Sequence, residues 1–256
     1  MAVAPARKGK NLMNPAIILV GADKGGVGKT TVTRALLDYL AANNVFTRAF
    51  DTESPRGTLA RFHPIGTEVV DVSLTTDQMR IIDTLATADT KVSIVDARAG
   101  SFLPTLRRFH EMGFLDAAQE GHFTFVVFHI LGPSISSLNE IGEAAEYLDD
   151  AYYFLTKNFI NETSFFEWDP ATYKSYFRKI KHAVEVTIPK LDEHAYEQVE
   201  VAGVPFSSFV TNKNADGEPA QFSFVLRGYV RNWFRQITAE FDRIRLLEIL
   251  AGKVPA

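Results

Sequence analysis

The sequence predicts a doubly wound α/β fold: a mostly parallel sheet of about seven strands with helices on both faces. Three observations lead there. Ile17, Ile18, Leu19 and Val20 run into a glycine-rich stretch that an amphipathic segment leaves, the order strand, loop, helix. Short β-rich runs then alternate with helical periodicities along the chain. Residues 123–131, Phe-Thr-Phe-Val-Val-Phe-His-Ile-Leu, are apolar nearly throughout, as suits a strand covered on both faces. With 256 residues, 46% of them hydrophobic, the chain can bury a full core as one domain over 16–256.

The elements follow in order. After the first strand comes Asp23-Lys24-Gly25-Gly26-Val27-Gly28-Lys29-Thr30-Thr31. Glycines let a backbone curl so that successive N–H groups point inward, and a helix starting at Lys29 adds the positive end of its dipole. The product is a cradle for a polyphosphate, in which Lys29 reaches the β- and γ-phosphates and the Thr30 hydroxyl ligates Mg²⁺. Gly25, Gly26, Val27, Gly28 and Thr31 complete the candidate nucleotide-binding loop.

Val32, Ala35, Leu36, Tyr39 and Leu40 form the buried stripe of the following helix, which Asn43-Asn44 ends. A strand over 45–50 delivers Asp51 to Gly57 to the carboxyl edge of the sheet, where open α/β sheets bind ligands. Residues 68–73 alternate like a short strand, and 77–86 reads as a helix with Met79, Ile82 and Leu85 inward. His63, beside Pro64, reads as a loop or core histidine. The strand over 91–95 ends in Asp96, the arrangement in which a carboxylate holds Mg²⁺ through water.

A helix with Leu103, Leu106 and Phe109 precedes the strand at 123–131, which Gly132-Pro133-Ser134 breaks. Residues 135–148 read as helix and 151–156 as strand. Residues 159–182 read as an insertion in which Phe159, Phe165, Phe166, Trp168, Tyr173, Tyr176 and Phe177 interleave with basic side chains. Lys174, Arg178 and Lys181 share one helical face there and Tyr173, Phe177 and Ile180 another, a pattern that serves either nucleic-acid or partner binding or an ordinary solvated helix. A last strand spans 184–188, a segment from Tyr196 to Val204 contains Gly203, and 212–217 is a polar loop. The closing helix, 222–250, puts Val230, Phe234, Ile237, Phe241, Ile244 and Leu247 inward. Arg227, Arg231 and Arg235 run beside that face, either to grip phosphates nonspecifically or to shield an apolar seam.

The form KGGVGKTT resembles the deviant Walker A motif of the ParA/MinD family of P-loop ATPases. Asp23 stands where the common phosphate-loop pattern has glycine, and Lys24 follows it. The resemblance covers Ile17 to about Leu250 and is most specific at this loop. It implies a P-loop NTPase fold of the deviant type and assigns Lys24 to the partner's phosphates across a nucleotide-sandwich dimer. It also implies that Asp51 lies near Mg²⁺ and that Glu53 stands for the switch I aspartate that positions the attacking water. Glu53 is one methylene longer, and Ser54 separates it from Pro55, so either it orients water on a longer arm or hydrolysis is slower than the family's norm. Asp96 becomes the Walker B carboxylate, and Gly100, with Arg98 and Ser101, a switch II that answers to the γ-phosphate. Thr156, Lys157 and Asn158 fall near the adenine and Pro189 in the last nucleobase-side loop. Phe159, in place of a guanine-reading aspartate, favours ATP.

The chain has no cysteine, which excludes disulfides, thiolate metal sites and the cluster-bearing reductases related to nitrogenase iron protein. No tyrosine cluster ends it, which disfavours a tyrosine kinase. Met1 to Pro15 carries Arg7, Lys8 and Lys10 without an apolar run behind them, so a flexible tail over 1–15 is expected rather than a secretory signal. No apolar run approaches the ~18 residues of a membrane span, and a cytoplasmic protein is expected.

The resemblance implies ATP and Mg²⁺ as cofactors, an ATP-dependent homodimer and slow, partner-stimulated hydrolysis. It also implies a small adaptor or activating protein, and nonspecific DNA in a plasmid or chromosome partition role. An accessory ATPase of a plasmid conjugation or secretion system shares these motifs. A MinD-like membrane-surface role ranks lower, because Arg243 to Leu250 is only faintly amphipathic.

Overall fold

The computed structural model describes residues 15–83, 85, 91–148, 151–161, 164–167, 169–180 and 182–253. Of the expected features, the tail before Pro15, Ala86, Trp168 and Lys181 lie outside the described residues. Strand β1 (Ala16–Gly21) leads through the glycine-rich loop to helix α1 (Lys29–Ala42), followed by β2 (Thr47–Asp51), β3 (Thr67–Val69), α2 (Thr75–Asp83) and β4 (Val92–Asp96). Next come α3 (Phe102–Glu111), α4 (Phe114–Gln119), β5 (Thr124–Ile130), α5 (Ile135–Ala144), β6 (Tyr152–Asn158), α6 (Pro170–Phe177) and β7 (Val184–Ile188). Helices α7 (Glu193–Ala202), α8 (Phe206–Val210), α9 (Phe224–Arg243) and α10 (Leu246–Leu250) close the chain.

The strands form one seven-stranded sheet in the order β3-β2-β4-β1-β5-β6-β7. Among the described residues, every strand pairing within this sheet is parallel. Alternation along β1 divides the core in two, because successive side chains of a strand point to opposite faces. Ile18 and Val20 pack with α1 and α7–α10, whereas Ile17 and Leu19 pack with α2, α3, α5 and α6. Phe241 of α9 meets Tyr39 of α1 edge-on at 5.2 Å and Phe128 of β5 at 5.8 Å, so one ring joins two helices to the sheet. Burying such a side chain contributes about 1.5–3 kcal/mol.

At four places the structure departs from the expectations or adds to them. Met79, expected inward, is 55% exposed, and Ile81 is fully buried in its place; Leu85 is buried and Ile82 partly buried, as expected. The closing helix is two helices: Arg245 takes a left-handed conformation (φ 57°), which ends α9 at Arg243 and turns Leu246, Ile249 and Leu250 of α10 into the core. That burial removes the faint amphipathic surface read over 243–250. The segment 159–182 is the crossover between the parallel neighbours β6 and β7, and its aromatics Phe165, Phe166 and Tyr173 are core. Finally, the segment from Tyr196 belongs to α7, which Gly203 caps (φ 61°), and a further helix not read from the sequence, α8, stands between it and α9.

Candidate functional site

The site begins at the junction of β1 and α1. Gly28 precedes α1 in the left-handed region (φ 88°), and no side chain caps the helix, so its first-turn N–H groups face the loop mouth. Gly28 is required on a second ground: a Cβ there would fall 2.1 Å from Asn158 Nδ2. Over this loop lies a cavity of about 670 Å³. The loop contributes Gly25, Gly26, Gly28, Lys29, Thr30 and Thr31 to its wall. The chain after β2 adds Asp51, Glu53 and Thr58, the end of β4 adds Asp96 to Ala99, and Ile160 and Tyr196 close one side.

The two lysines sit differently. Lys29 is buried, its Nζ donates to the Lys24 carbonyl at 2.9 Å, and burial holds its ammonium pKa below the usual lysine range. Lys24 is exposed and is not among the residues that line the cavity; its stem runs past Gly132, beyond β5.

The register of the sheet pairs Asp51 of β2 with Asp96 of β4, which brings two carboxylates to one edge. Asp96 accepts hydrogen bonds from the Thr30 hydroxyl at 2.8 Å and the Thr33 hydroxyl at 3.0 Å. Burial, and then the neighbouring Asp51, push its pKa up to about 7. Asp51 accepts the N–H groups of Glu53 and Leu59, each at 2.8 Å, so it also folds the turn that follows it. Burial raises its pKa as well. Glu53 accepts the Thr58 hydroxyl at 2.9 Å from its place on the cavity wall. A threonine hydroxyl beside two carboxylates is an all-oxygen donor set, which fits a hard cation such as Mg²⁺ that takes its remaining ligands from phosphate and water.

Residues 97–101 follow Asp96 over the cavity. The Thr52 hydroxyl accepts the Arg98 N–H at 2.8 Å, and the Ser101 hydroxyl donates to the Arg98 carbonyl at 2.9 Å. Gly100, at φ 74°, donates its N–H to the Asp23 carbonyl at 2.9 Å. Burial, then Glu140, raise the Asp23 carboxyl pKa.

On the side expected to hold a base, Asn158 Nδ2 donates to the Val27 carbonyl at 3.0 Å, holding the loop from beneath. The Thr156 side chain is fully buried, with its hydroxyl turned to the Phe154 carbonyl, and does not line the cavity. Lys157 is paired with Glu185 at 2.5 Å and lies over the Tyr173 ring. The Pro189 carbonyl accepts the Trp233 indole N–H at 2.7 Å. Ile160 and Tyr196, which sequence reasoning missed, stand on the wall instead, Tyr196 with its hydroxyl 3.4 Å from that of Thr31. The only sequence signal for Tyr196 was a tyrosine on an otherwise ordinary amphipathic helix.

The basic residues lie away from the cavity. Arg231 and Arg235 are exposed on α9, and Arg227, half-buried, lies 5.7 Å from the centre of the Phe224 ring. Lys174 and Arg178 are exposed at and just beyond α6.

The fold is of the doubly wound α/β class, and the glycine-rich loop between β1 and α1 bears the sequence that resembles the deviant Walker A motif. No family model and no curated protein matches the chain. Among solved structures, the septum site-determining protein MinD of Pyrococcus horikoshii, complexed with Mg-ADP, superposes with a TM-score of 0.54 at 15% identity. That match covers 91% of this chain and 98% of MinD, and it establishes a shared fold. An ADP-bound nucleotide-binding protein of Archaeoglobus fulgidus aligns with a TM-score of 0.47 at 17% identity, over 72% of this chain and 85% of the other. MinD in a MinC:MinD cell division complex of Aquifex aeolicus aligns with a TM-score of 0.48 at 16% identity, over 88% and 96%. Among the described residues, no helix is long and apolar enough to cross a membrane.

Proposed function

We propose that the chain is a Mg²⁺-dependent ATPase of the ParA/MinD type that dimerises with ATP bound and, in that state, holds DNA nonspecifically to position or partition a cargo. The observation that carries this reading is the division of labour between the loop lysines. Lys29 is buried and aimed across its own loop, whereas Lys24, one residue before the cavity-lining Gly25, is exposed and free of the cavity wall, open to a second subunit.

The residues have separable tasks. The N–H groups around Gly25 to Thr31 and the ammonium of Lys29 bind phosphate oxygens. Thr30 and Asp96, with Asp51 beside them, would hold Mg²⁺, which when bound neutralises charge on the β- and γ-phosphates. Glu53, kept at the wall by Thr58, is the carboxylate placed to orient water. Tyr196 and Ile160 offer a flat apolar wall for a base, and Asn158 fixes the loop on that side.

DNA as the matrix draws support from α9. Between Ser223 and Ala239 it carries Arg227, Arg231 and Arg235 and no acidic residue, in a chain of net charge −4. A membrane surface is the second reading, favoured by Phe224, Val225 and Tyr229, which are 75%, 62% and 51% exposed on the same helix. The deciding experiment measures binding to arbitrary double-stranded DNA with ATP and with ADP over a salt series, with anionic vesicles in parallel. Tight ATP-dependent DNA binding that weakens with salt supports the first reading. Vesicle binding without DNA binding supports the second, and neither removes both.

A further inference from the structure

We propose that Asp23 is a positioning residue that couples the loop carrying Lys24 to residues 98–102, so that the two segments move as one unit. This rests on the assignment of Lys24 to the dimer contact made above. Asp23 is held through three of its groups. Its N–H donates to Glu140 Oε2 at 2.9 Å, its carbonyl accepts the Gly100 N–H at 2.9 Å, and its carboxylate Oδ1 accepts the Phe102 N–H at 3.0 Å. Two of the three go to the segment that follows Asp96, and the third goes to a fixed point. Glu140 sits 3.2 Å from His129 Nε2, and the other ring nitrogen of His129 lies 2.7 Å from the Tyr153 hydroxyl, all within the buried core beneath the loop.

The coupling needs both ties: the bond from the Phe102 N–H to the Asp23 carboxylate holds the start of α3 to the loop and so keeps the Gly100 N–H on the Asp23 carbonyl, and the planar peptide then passes the motion on. The Asp23 carbonyl and the Lys24 N–H belong to one rigid unit, so a displacement of Gly100 that pulls on that carbonyl turns the unit from which the Lys24 side chain springs. Gly100, at φ 74°, lies in the left-handed region that favours glycine, and no atom crowds the place of a Cβ there. Helix α3 has no side-chain cap from its own Ser101; the Asp23 carboxylate serves its first turn from across the site. A glycine at position 23, as in the common phosphate-loop pattern, would have no side chain to make this tie. The chain therefore carries a connection between the γ-phosphate side of the cavity and the dimer-facing lysine that the loop motif alone does not provide.

The test combines amide hydrogen exchange with dimerisation driven by a non-hydrolysable ATP analogue and Mg²⁺, in wild type, Asp23→Ala and Asp23→Asn. In wild type the analogue should change exchange at 23–25 and at 98–103 together. In D23A the amides of 100–103 should exchange about tenfold faster, the two segments should respond separately, and the dimer should weaken about tenfold. D23N keeps Oδ1 and should restore both properties to within about threefold. Wild-type exchange and dimerisation in D23A would overturn the proposal, as would a D23N as impaired as D23A. Asp23→Ser, with a shorter oxygen, replaces D23A if alanine is not tolerated. Lys24→Ala separates the two claims: a K24A protein that dimerises like wild type removes the lysine assignment, while the exchange arm still decides whether Asp23 couples the segments.

Discussion

Asn158 supports the phosphate loop and the turn after β6 through two bonds whose loss leaves two backbone groups short of a partner. Its Nδ2 meets the Val27 carbonyl and its Oδ1 accepts the Ile160 N–H at 3.3 Å. Replacing it with alanine should cost about 1–3 kcal/mol, the usual penalty for unpaired buried polar groups, and weaken nucleotide binding about tenfold by loosening the loop. Urea unfolding and titration with a fluorescent nucleotide read the two effects separately. Two buried groups near Arg34 make a pH prediction of opposite signs. Burial pushes the Asp38 carboxyl up to about 6, so the folded state keeps a proton that the unfolded state releases near 4. Its contribution therefore declines by about 3 kcal/mol as pH rises from 4 to 6. Burial, then Arg34, bring His63 down to about 4, so the unfolded state takes up a proton first on acidification. That contribution is lost, again by about 3 kcal/mol, as pH falls from 6.5 to 4. Unfolding midpoints measured between pH 4 and 6.5 should therefore fall more steeply with acid in Asp38→Asn and less steeply in His63→Gln than in wild type.

Among the elements, α9 carries the proposed DNA surface, and its arginines make a quantitative statement. Three arginines per subunit, six per dimer, correspond to a slope of log K against log salt of about −5. Arg231→Ala, present in both subunits, should reduce that slope by about two while binding falls uniformly across DNA sequences. Filter binding in the ATP state checks it; an unchanged slope would take Arg231 off the DNA. The elements also show where the sequence was legible. β1, the glycine loop and α1 were readable because apolar periodicity, glycine and the lysine-threonine pair coincide within a few residues. β5 was readable because burial on both faces leaves no polar alternation. The break at Arg245 was not, since a non-glycine residue in the left-handed region has no composition signal and the apolar spacing continues across it. The phase of α2 was misread because Met79 fits a stripe as well as Ile81 does until the neighbouring elements choose between them.

At the scale of the whole molecule, the site is built from chain segments far apart in sequence, and that is where one-dimensional reasoning thins out. Asp51 and Asp96 could each be read from a strand ending in a carboxylate, but only the pairing of β2 with β4 sets them side by side. Tyr196 and Ile160 reach the cavity through packing of α7 and of the β6–α6 connection, and nothing local announces either residue. The ties of Asp23 to Glu140, Gly100 and Phe102 span more than a hundred residues of chain in the longest case. The sheet order makes these meetings possible, because β1 lies between β4 and β5 and the loop after it is flanked by the ends of both.

On the reading proposed above, the exposed Lys24 makes the chain a dimer-forming switch. The most direct measurement is the solution mass of wild type and of Lys24→Ala by sedimentation, each with Mg²⁺ and either ADP or a non-hydrolysable ATP analogue. The wild-type mass should double with the ATP analogue and not with ADP. K24A should stay monomeric with both while binding nucleotide within about threefold of wild type. A wild type that stays monomeric with the analogue, or a K24A protein that dimerises as wild type does, would contradict that reading.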